Sequence, residues 1–170
     1  MAINFIGGTT SDNYQLISTV TPTAASSAVN FTGLGIYKKL LLWTNGIVPG
    51  SAGTITVRLN NDSTNPNYAW SIVSRNFAAS NVQIDGGTNS FPCNATSANT
   101  TTSSEGWISF NNCDVTGVKF VEAGVFEASG AASLYYTSGS YRGTSVISQV
   151  NLLINTTFTA VGTVSLYGVK

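Results

Sequence analysis

The strictest pattern in the chain is the alternation of polar and apolar residues between Thr54 and Leu59. It places Ile55, Val57 and Leu59 on one face of an extended strand and the polar residues between them on the other. A period of two is typical of a strand that buries one face. This stretch therefore predicts a half-buried strand.

A second strand is predicted just before it, over residues 36–44. This stretch is apolar on both faces from Leu40 to Trp43, which indicates an inner strand that is covered on both sides. Residues 48–53 contain Pro49 and two glycines, and they predict a loop between the two strands. We therefore expect a hairpin, followed by a turn that is rich in asparagine.

Short apolar stretches separated by turn residues recur along the whole chain and predict about nine to eleven strands. No segment has the spacing of an amphipathic helix. Only 8% of the residues are charged, so the polar surface must come from Ser, Thr, Asn and Gly, which suit strands and turns. Without repeats or linkers, the chain is expected to form one all-β domain over residues 1–170, an antiparallel sandwich or barrel.

Residues 88–104 differ from the rest because Ser, Thr and Asn dominate them. Beyond Phe91 and Cys93 they offer little to bury, so we expect a long exposed loop. Such loops are often functional, although an idle surface excursion fits equally well. Cys93 and Cys113 predict two separate thiols, with a disulfide between them as the alternative.

The charged residues argue against several classes of function. Seven basic and seven acidic residues give no net charge, so neither nucleic acid nor a membrane is an expected partner. The chain has no histidine, which removes the commonest general base and zinc ligand. The carboxylates are scattered, and no Gly-rich phosphate loop follows a strand. We therefore expect no catalytic residue, no cofactor and no metal.

Asn60, Asn61 and Asp62 are the candidate for a cation site, because their side-chain oxygens suit calcium. The loop pattern of an EF-hand is absent, however, and short Asx side chains favour turns. The sequence therefore favours a turn at these residues.

Five aromatic residues are candidates for a sugar-binding surface, because rings with a polar tip suit wet carbohydrate or protein surfaces. They are Tyr68, Trp70, Tyr135, Tyr136 and Tyr141. Core packing or a protein interface is the alternative for the same rings, and the sequence leaves both open.

Several short motifs, taken in order, resemble a broad group of tailed-bacteriophage virion proteins. The matching segments are 13–20, 24–34, 37–42, 57–62, 67–68, 150–155 and 162–168. They include an opening of the type L-I-x-T, a turn of the type R-x-N-x-D…N-Y, and a closing S-L-Y-G. The resemblance covers nearly the whole chain, except that residues 76–116 match nothing in the group.

The resemblance implies a β-sandwich of jelly-roll type that serves as a virion building block, assembled in the host cytoplasm. It implies a homo-oligomer, often a homotrimer, and most specifically a capsid decoration (cement) protein that stabilises the shell by binding the major capsid protein. A short N-terminal segment, about residues 1–12, would extend from the domain. The group carries no catalytic residues.

The alternative within the same group is a neck, tail or baseplate appendage module that binds host-surface carbohydrate. Trp70 and the tyrosines would then stack on sugar rings, and Asn60 and Asp62 would supply polar contacts. These residues are therefore the candidate contact residues of either function.

Overall fold

The alternating stretches fold into strands in a computed structural model that describes residues 13–76, 82–94, 102–128 and 133–170. Within these residues there is no helix, and hence none that could cross a membrane. The twelve strands are β1 (Gln15–Val20), β2 (Ala28–Thr32), β3 (Lys39–Ile47), β4 (Ile55–Leu59), β5 (Tyr68–Asn76), β6 (Val82–Thr88), β7 (Phe91–Pro92), β8 (Ser104–Asn111), β9 (Lys119–Glu127), β10 (Ser133–Tyr141), β11 (Gln149–Ile154) and β12 (Thr163–Val169).

The strands form two antiparallel sheets of unequal size that pack against each other. The larger sheet has eight strands in the order β1-β12-β3-β8-β9-β10-β5-β6, and the smaller has four in the order β2-β11-β4-β7. The predicted all-β antiparallel sandwich is thus confirmed.

The core lies between the two sheets because each strand turns its apolar face inward. Leu40, Leu42 and Leu166 from the larger sheet and Val57 and Leu152 from the smaller one are completely buried. Each such side chain stabilises the fold by about 1.5–3 kcal/mol through its removal from water.

The predicted hairpin between residues 36 and 62 is wrong. β3 and β4 belong to different sheets, and the loop between them crosses from one layer to the other. Pro49 in this loop forms an isolated bridge with Phe158, which ties the crossing to the chain after β11. Two strands that each bury one face can pair edge to edge or face each other across a core, and here they do the latter.

The inner position predicted for the first of these strands is confirmed, because β3 lies between β12 and β8. The predicted cover on both of its faces is wrong. Leu40 and Leu42 point into the core, whereas Trp43 on the opposite face is 46% exposed. The described part of the chain places no second layer on that side.

The predicted exposed loop over residues 88–104 is wrong at both of its described ends, since Thr102 and Ser104 are also buried and Ser104 begins β8. Residues 90–94 are buried, and two of them form β7, which pairs with β4 and lies at the edge of the smaller sheet. The backbone N–H of Cys93 donates to the carbonyl of Ile55 over 2.9 Å. Residues 95–101 of this stretch, and the N-terminal segment 1–12, lie outside the described residues.

The two cysteines are buried separately and form no disulfide. The interpretation as separate thiols is confirmed. Burial raises the pKa of the Cys113 thiol to about 12 and raises that of Cys93 as well. Both sulfurs therefore act as small apolar core groups.

The four strands β1 to β4 pair with β12, β11, β8 and β7, in that order. The first four of these eight strands therefore pair antiparallel with the last four in reverse order. Successive pairs alternate between the larger and the smaller sheet. The strand pairs β5–β6 and β9–β10 are added at one side of the larger sheet, beyond β8.

Two phenylalanines on neighbouring strands test the assignment of the two faces. Phe110 is fully buried on β8, whereas Phe120 on β9 is 57% exposed on the outer face. Phe110→Ala is expected to lower the free energy of unfolding by about 3–5 kcal/mol through the cavity that it leaves. Phe120→Ala should cost less than about 1 kcal/mol. Urea unfolding followed by tryptophan fluorescence measures both, and equal losses would contradict the assignment.

Candidate functional site

Three surfaces contain the candidate residues: the turn after β4, a cleft beside Trp70, and the outer face of the larger sheet. The turn begins at Asn60 and Asn61, whose φ angles of 55° and 52° lie in the left-handed region. Asparagine tolerates this conformation better than most residues. The two asparagines therefore end β4 and reverse the chain.

The side chain of Asn60 ties this turn to the segment that precedes β11. Its amide nitrogen donates to the carbonyl of Val146 over 2.8 Å. Its oxygen accepts from the backbone N–H groups of Ser148, over 2.8 Å, and Gln149, over 3.2 Å. Asn60 is thus engaged in holding two distant parts of the chain together.

Asp62 holds the other end of the turn. Its carboxylate accepts from the backbone N–H of Thr64 over 2.8 Å, from the Asn67 amide over 2.7 Å and from the Tyr141 hydroxyl over 2.9 Å. Partial burial raises the pKa of Asp62, but these hydrogen bonds outweigh that effect and lower it to about 2. The carboxylate is therefore ionised at neutral pH, and both of its oxygens accept hydrogen bonds from the protein.

Tyr68 lies beneath the turn and is completely buried. Its hydroxyl accepts from the backbone N–H of Leu59 over 2.9 Å and lies 3.1 Å from the carbonyl of Asp62, to which it donates. Its ring is tilted against that of Tyr141, with the centroids 4.9 Å apart. Burial raises the pKa of Tyr68 to about 12 and also raises that of Tyr141.

The structure thus brings four predicted contact residues together, namely Asn60, Asp62, Tyr68 and Tyr141. We call this group the turn lock. Its side chains bind one another and the backbone, as the turn interpretation implies. Among the residues that the structure describes, no group of three or more acidic or cysteine side chains could hold a metal ion.

Trp70 lies apart from the turn lock, at a cleft of about 270 Å³ beside the edge formed by β4 and β7. The indole lies across Gly86, where an added Cβ would come within 2.8 Å of the ring. The indole N–H donates to the Thr88 hydroxyl over 3.2 Å, which fixes the ring plane. The rest of the cleft presents a mainly apolar surface, to which Ile72 and Pro92 contribute, together with six polar residues: Thr54, Thr56, Thr88, Asn89, Ser90 and Asn94.

Tyr135 and Tyr136 are adjacent on β10 and therefore point to opposite faces. Tyr135 is buried, and its hydroxyl lies 3.4 Å from a carboxylate oxygen of Glu127, whose other oxygen accepts from Asn94 over 2.7 Å. Burial raises the pKa of Glu127, and these two hydrogen bonds offset part of that effect. Tyr135, like Tyr68 and Tyr141, is a core ring, which is the alternative that the sequence left open.

Tyr136 belongs to an exposed apolar surface that sequence reasoning missed. Trp43 on β3, Trp107 on β8, Gly124 on β9, Tyr136 on β10 and Val73 on β5 lie directly opposite one another in register. The Trp107 indole covers Gly124, and its ring meets that of Tyr136 edge-on, with the centroids 6.5 Å apart.

One row further along the strands, Phe126 on β9 and Leu134 on β10 are also opposite each other and exposed. The sequence signal for this surface is present but easily missed. The outward positions of β9 and β10 include large apolar residues, so these strands are partly apolar on both faces although no helix among the described residues covers them. We call the exposed side of β3, β8, β9, β10 and β5 the outer face.

Comparison with protein-family models, with curated proteins and with solved structures gave no match.

The turn lock predicts a pH dependence of stability. Because the folded pKa of Asp62 lies below its ordinary value of 3.8, its carboxylate stabilises the fold above about pH 4, and this contribution is lost as the pH falls toward 2. Asp62→Asn should lower stability at pH 7 by about 1 kcal/mol, a modest loss because the group is partly exposed to solvent. Thermal unfolding between pH 2 and 7 measures the difference from the wild type.

The difference should shrink below about pH 4, be small at pH 2 and vanish only below that pH. Asp114→Asn is the matched control, because Asp114 makes no hydrogen bond within the described residues. A constant difference between Asp62→Asn and the wild type across this range would contradict the proposed role of the carboxylate.

Proposed function

We propose that this protein is a non-enzymatic structural component of a tailed-phage virion, a homo-oligomeric decoration (cement) protein bound to the capsid. The outer face is the observation that carries this proposal. A protein that stabilises a shell works through permanent contacts, and each bound copy favours the assembled state by mass action. Such contacts, whether they join copies of the protein or join the protein to the shell, require a surface that gains free energy when it is covered.

The outer face has that property. Trp43 and Tyr136 are each 46% exposed, and Val73, Phe126 and Leu134 are exposed beside them. Contiguous apolar patches of this kind on a soluble protein commonly mark interaction sites. Tryptophan and tyrosine are also enriched among residues that dominate binding energy at protein interfaces.

The arrangement of strands supports the jelly-roll connectivity that the resemblance implies. A jelly roll is a double-sheet architecture of eight strands in two Greek keys. Here β1 to β4 pair antiparallel with β12, β11, β8 and β7, and successive pairs alternate between the two sheets. We assign these eight strands as the jelly roll, with β5–β6 and β9–β10 as two inserted hairpins.

The residues that carry the resemblance have architectural tasks. The R-x-N-x-D…N-Y turn supplies Asn60, Asp62 and Tyr68 to the turn lock, and its Asn67 donates a hydrogen bond to Asp62. A motif that builds a turn accounts for a shared fold without implying a shared ligand. The same holds for the closing S-L-Y-G, which forms part of β12.

The chemistry of the described carboxylates also favours a structural role. Asp62 and Glu127, whose pKa values are shifted in opposite directions, both accept hydrogen bonds from neighbouring side chains. A catalytic assignment would need such a group to face a site where a substrate could bind. Their hydrogen bonds instead join distant strands, as a scaffold requires.

Stoichiometry in the virion tests the proposal. Quantitative mass spectrometry of purified particles is expected to find this protein in a copy number that scales with the major capsid protein. A number that fits one ring of subunits at the neck or tail would exclude decoration. Absence from the particle would exclude every virion role.

The second candidate is an appendage module that binds host-surface carbohydrate, and the cleft beside Trp70 favours it. The cleft combines a fixed indole with polar side chains such as Thr54 and Asn89, and a sugar ring stacks on aromatic faces and hydrogen-bonds to polar groups. The cleft is near the lower end of ligand-pocket sizes, on the order of 300 Å³, which fits a small ligand.

A glycan array separates the two candidates. If the cleft binds sugar, the wild type should bind a host-surface glycan reproducibly, and Trp70→Ala should weaken binding by about tenfold or more. Trp43→Ala is the matched control, because it removes an exposed indole outside the cleft. Equal losses in both variants, or no glycan bound at all, would count against the cleft.

A further inference from the structure

One row of the outer face carries a pattern of opposite charges at its two ends. Glu105 on β8, Phe126 on β9, Leu134 on β10 and Arg75 on β5 lie directly opposite one another in register. All four side chains are exposed. The row therefore runs acidic, aromatic, aliphatic, basic across four adjacent strands.

Glu105 and Arg75 are too far apart to neutralise each other. They are separated by three strand spacings, about 14 Å. Neither side chain makes an ion pair or hydrogen bond within the described residues. Each is thus an unpaired charge at the edge of an apolar surface, on a protein that has few charges.

The row is complementary to itself. Consider a second copy whose outer face packs against that of the first. The two copies are related by a 180° rotation about an axis that runs parallel to the strands, above the boundary between β9 and β10. This rotation reverses the order of the row in the second copy. Glu105 then meets Arg75 of the second copy, and Phe126 meets Leu134. Both charge pairs form together, as in an isologous interface.

The same rotation also matches the neighbouring row of the outer face, which runs from Trp107 to Val73. Trp107 comes to face Val73 of the second copy, and Tyr136 comes to face Gly124, where the Trp107 indole lies. An axis perpendicular to the strands would reverse the face end to end and would separate Glu105 from Arg75. Of these two axes, the charges favour the one that is parallel to the strands.

We propose that the outer face is covered by a second copy of this chain, related by that two-fold axis. This rests on the proposed homo-oligomeric function and specifies which surface the copies share. A two-fold contact produces a dimer, or a hexamer if the trimer implied by the resemblance also forms.

The dimensions of the face suit such a contact. β5, β9 and β10 are nine residues long and β8 has eight. Four strands of this length measure about 30 by 19 Å, so pairing covers on the order of 600 Å² of flat area per copy before side-chain relief is counted. Stable specific interfaces bury about 800 Å² per partner.

Charge reversal tests the proposal on the full chain. Sedimentation equilibrium should show that the wild type associates into a species with an even number of copies. Arg75→Glu and Glu105→Arg should each weaken this association by about tenfold or more, because like charges then face each other at both pairs. Lys38→Glu, an exposed reversal away from the outer face, should leave it unchanged.

Mixing the two single variants gives the decisive result. Each variant repels itself, but in a mixed pair every acidic side chain faces a basic one. An equimolar mixture of Arg75→Glu and Glu105→Arg should therefore associate about as tightly as the wild type, as should the double variant. A charge effect confined to one chain cannot produce rescue by mixing.

Three outcomes overturn the proposal. They are a wild type that stays monomeric at its highest soluble concentration, association that neither reversal weakens, and a mixture that shows no rescue. A monomer that is nevertheless abundant in virions would remove the two-fold contact and keep the decoration role. A two-fold pair that is absent from virions would keep the two-fold contact and exclude the decoration role.

Discussion

The rest of this structure depends on the packing of two sheets that differ in strand number. The core forms where apolar faces of the two sheets meet, with Leu42 and Phe110 on one side and Val57 and Leu152 on the other. Eight strands against four leave part of the larger sheet without a counterpart. The chain closes the inner side of that part with residues 90–94, but its outer side stays uncovered within the described residues.

Polar side chains complete the buried region between the two sheets at positions that apolar side chains do not fill. Asn94 is almost fully buried, and it accepts a hydrogen bond from the backbone N–H of Ile55 while donating to Glu127. It thereby connects the two sheets. A buried polar side chain stabilises a fold only when its hydrogen bonds are made, and Asn94 satisfies this condition on both of its polar atoms. The turn lock at Asp62 connects β4, β5 and β10 by the same means.

The sequence predicted the fold class because period-two alternation depends only on local burial. It could not distinguish a hairpin from a crossing, since β3 and β4 each bury one face in either arrangement. It also misjudged residues 90–94, because the hydrogen bonds that permit Asn94 to be buried come from Ile55 and Glu127 on distant strands. Tyr135 and Tyr136 show this limit most clearly. They are adjacent residues of the same type that lie on opposite faces of the strand, and only the packing of the sheet determines which of them is buried.

The outer face favours aggregation as well as specific association. An apolar surface that crosses five strands favours association, and the 8% of charged residues provides little repulsion against it. Unspecific association would lead to aggregation, so a stable protein needs a geometry that closes after a fixed number of copies. Glu105 and Arg75 supply such a restriction, because their positions at opposite ends of one row permit one two-fold orientation and disfavour others. Their value lies in selecting the partner and its register more than in adding affinity.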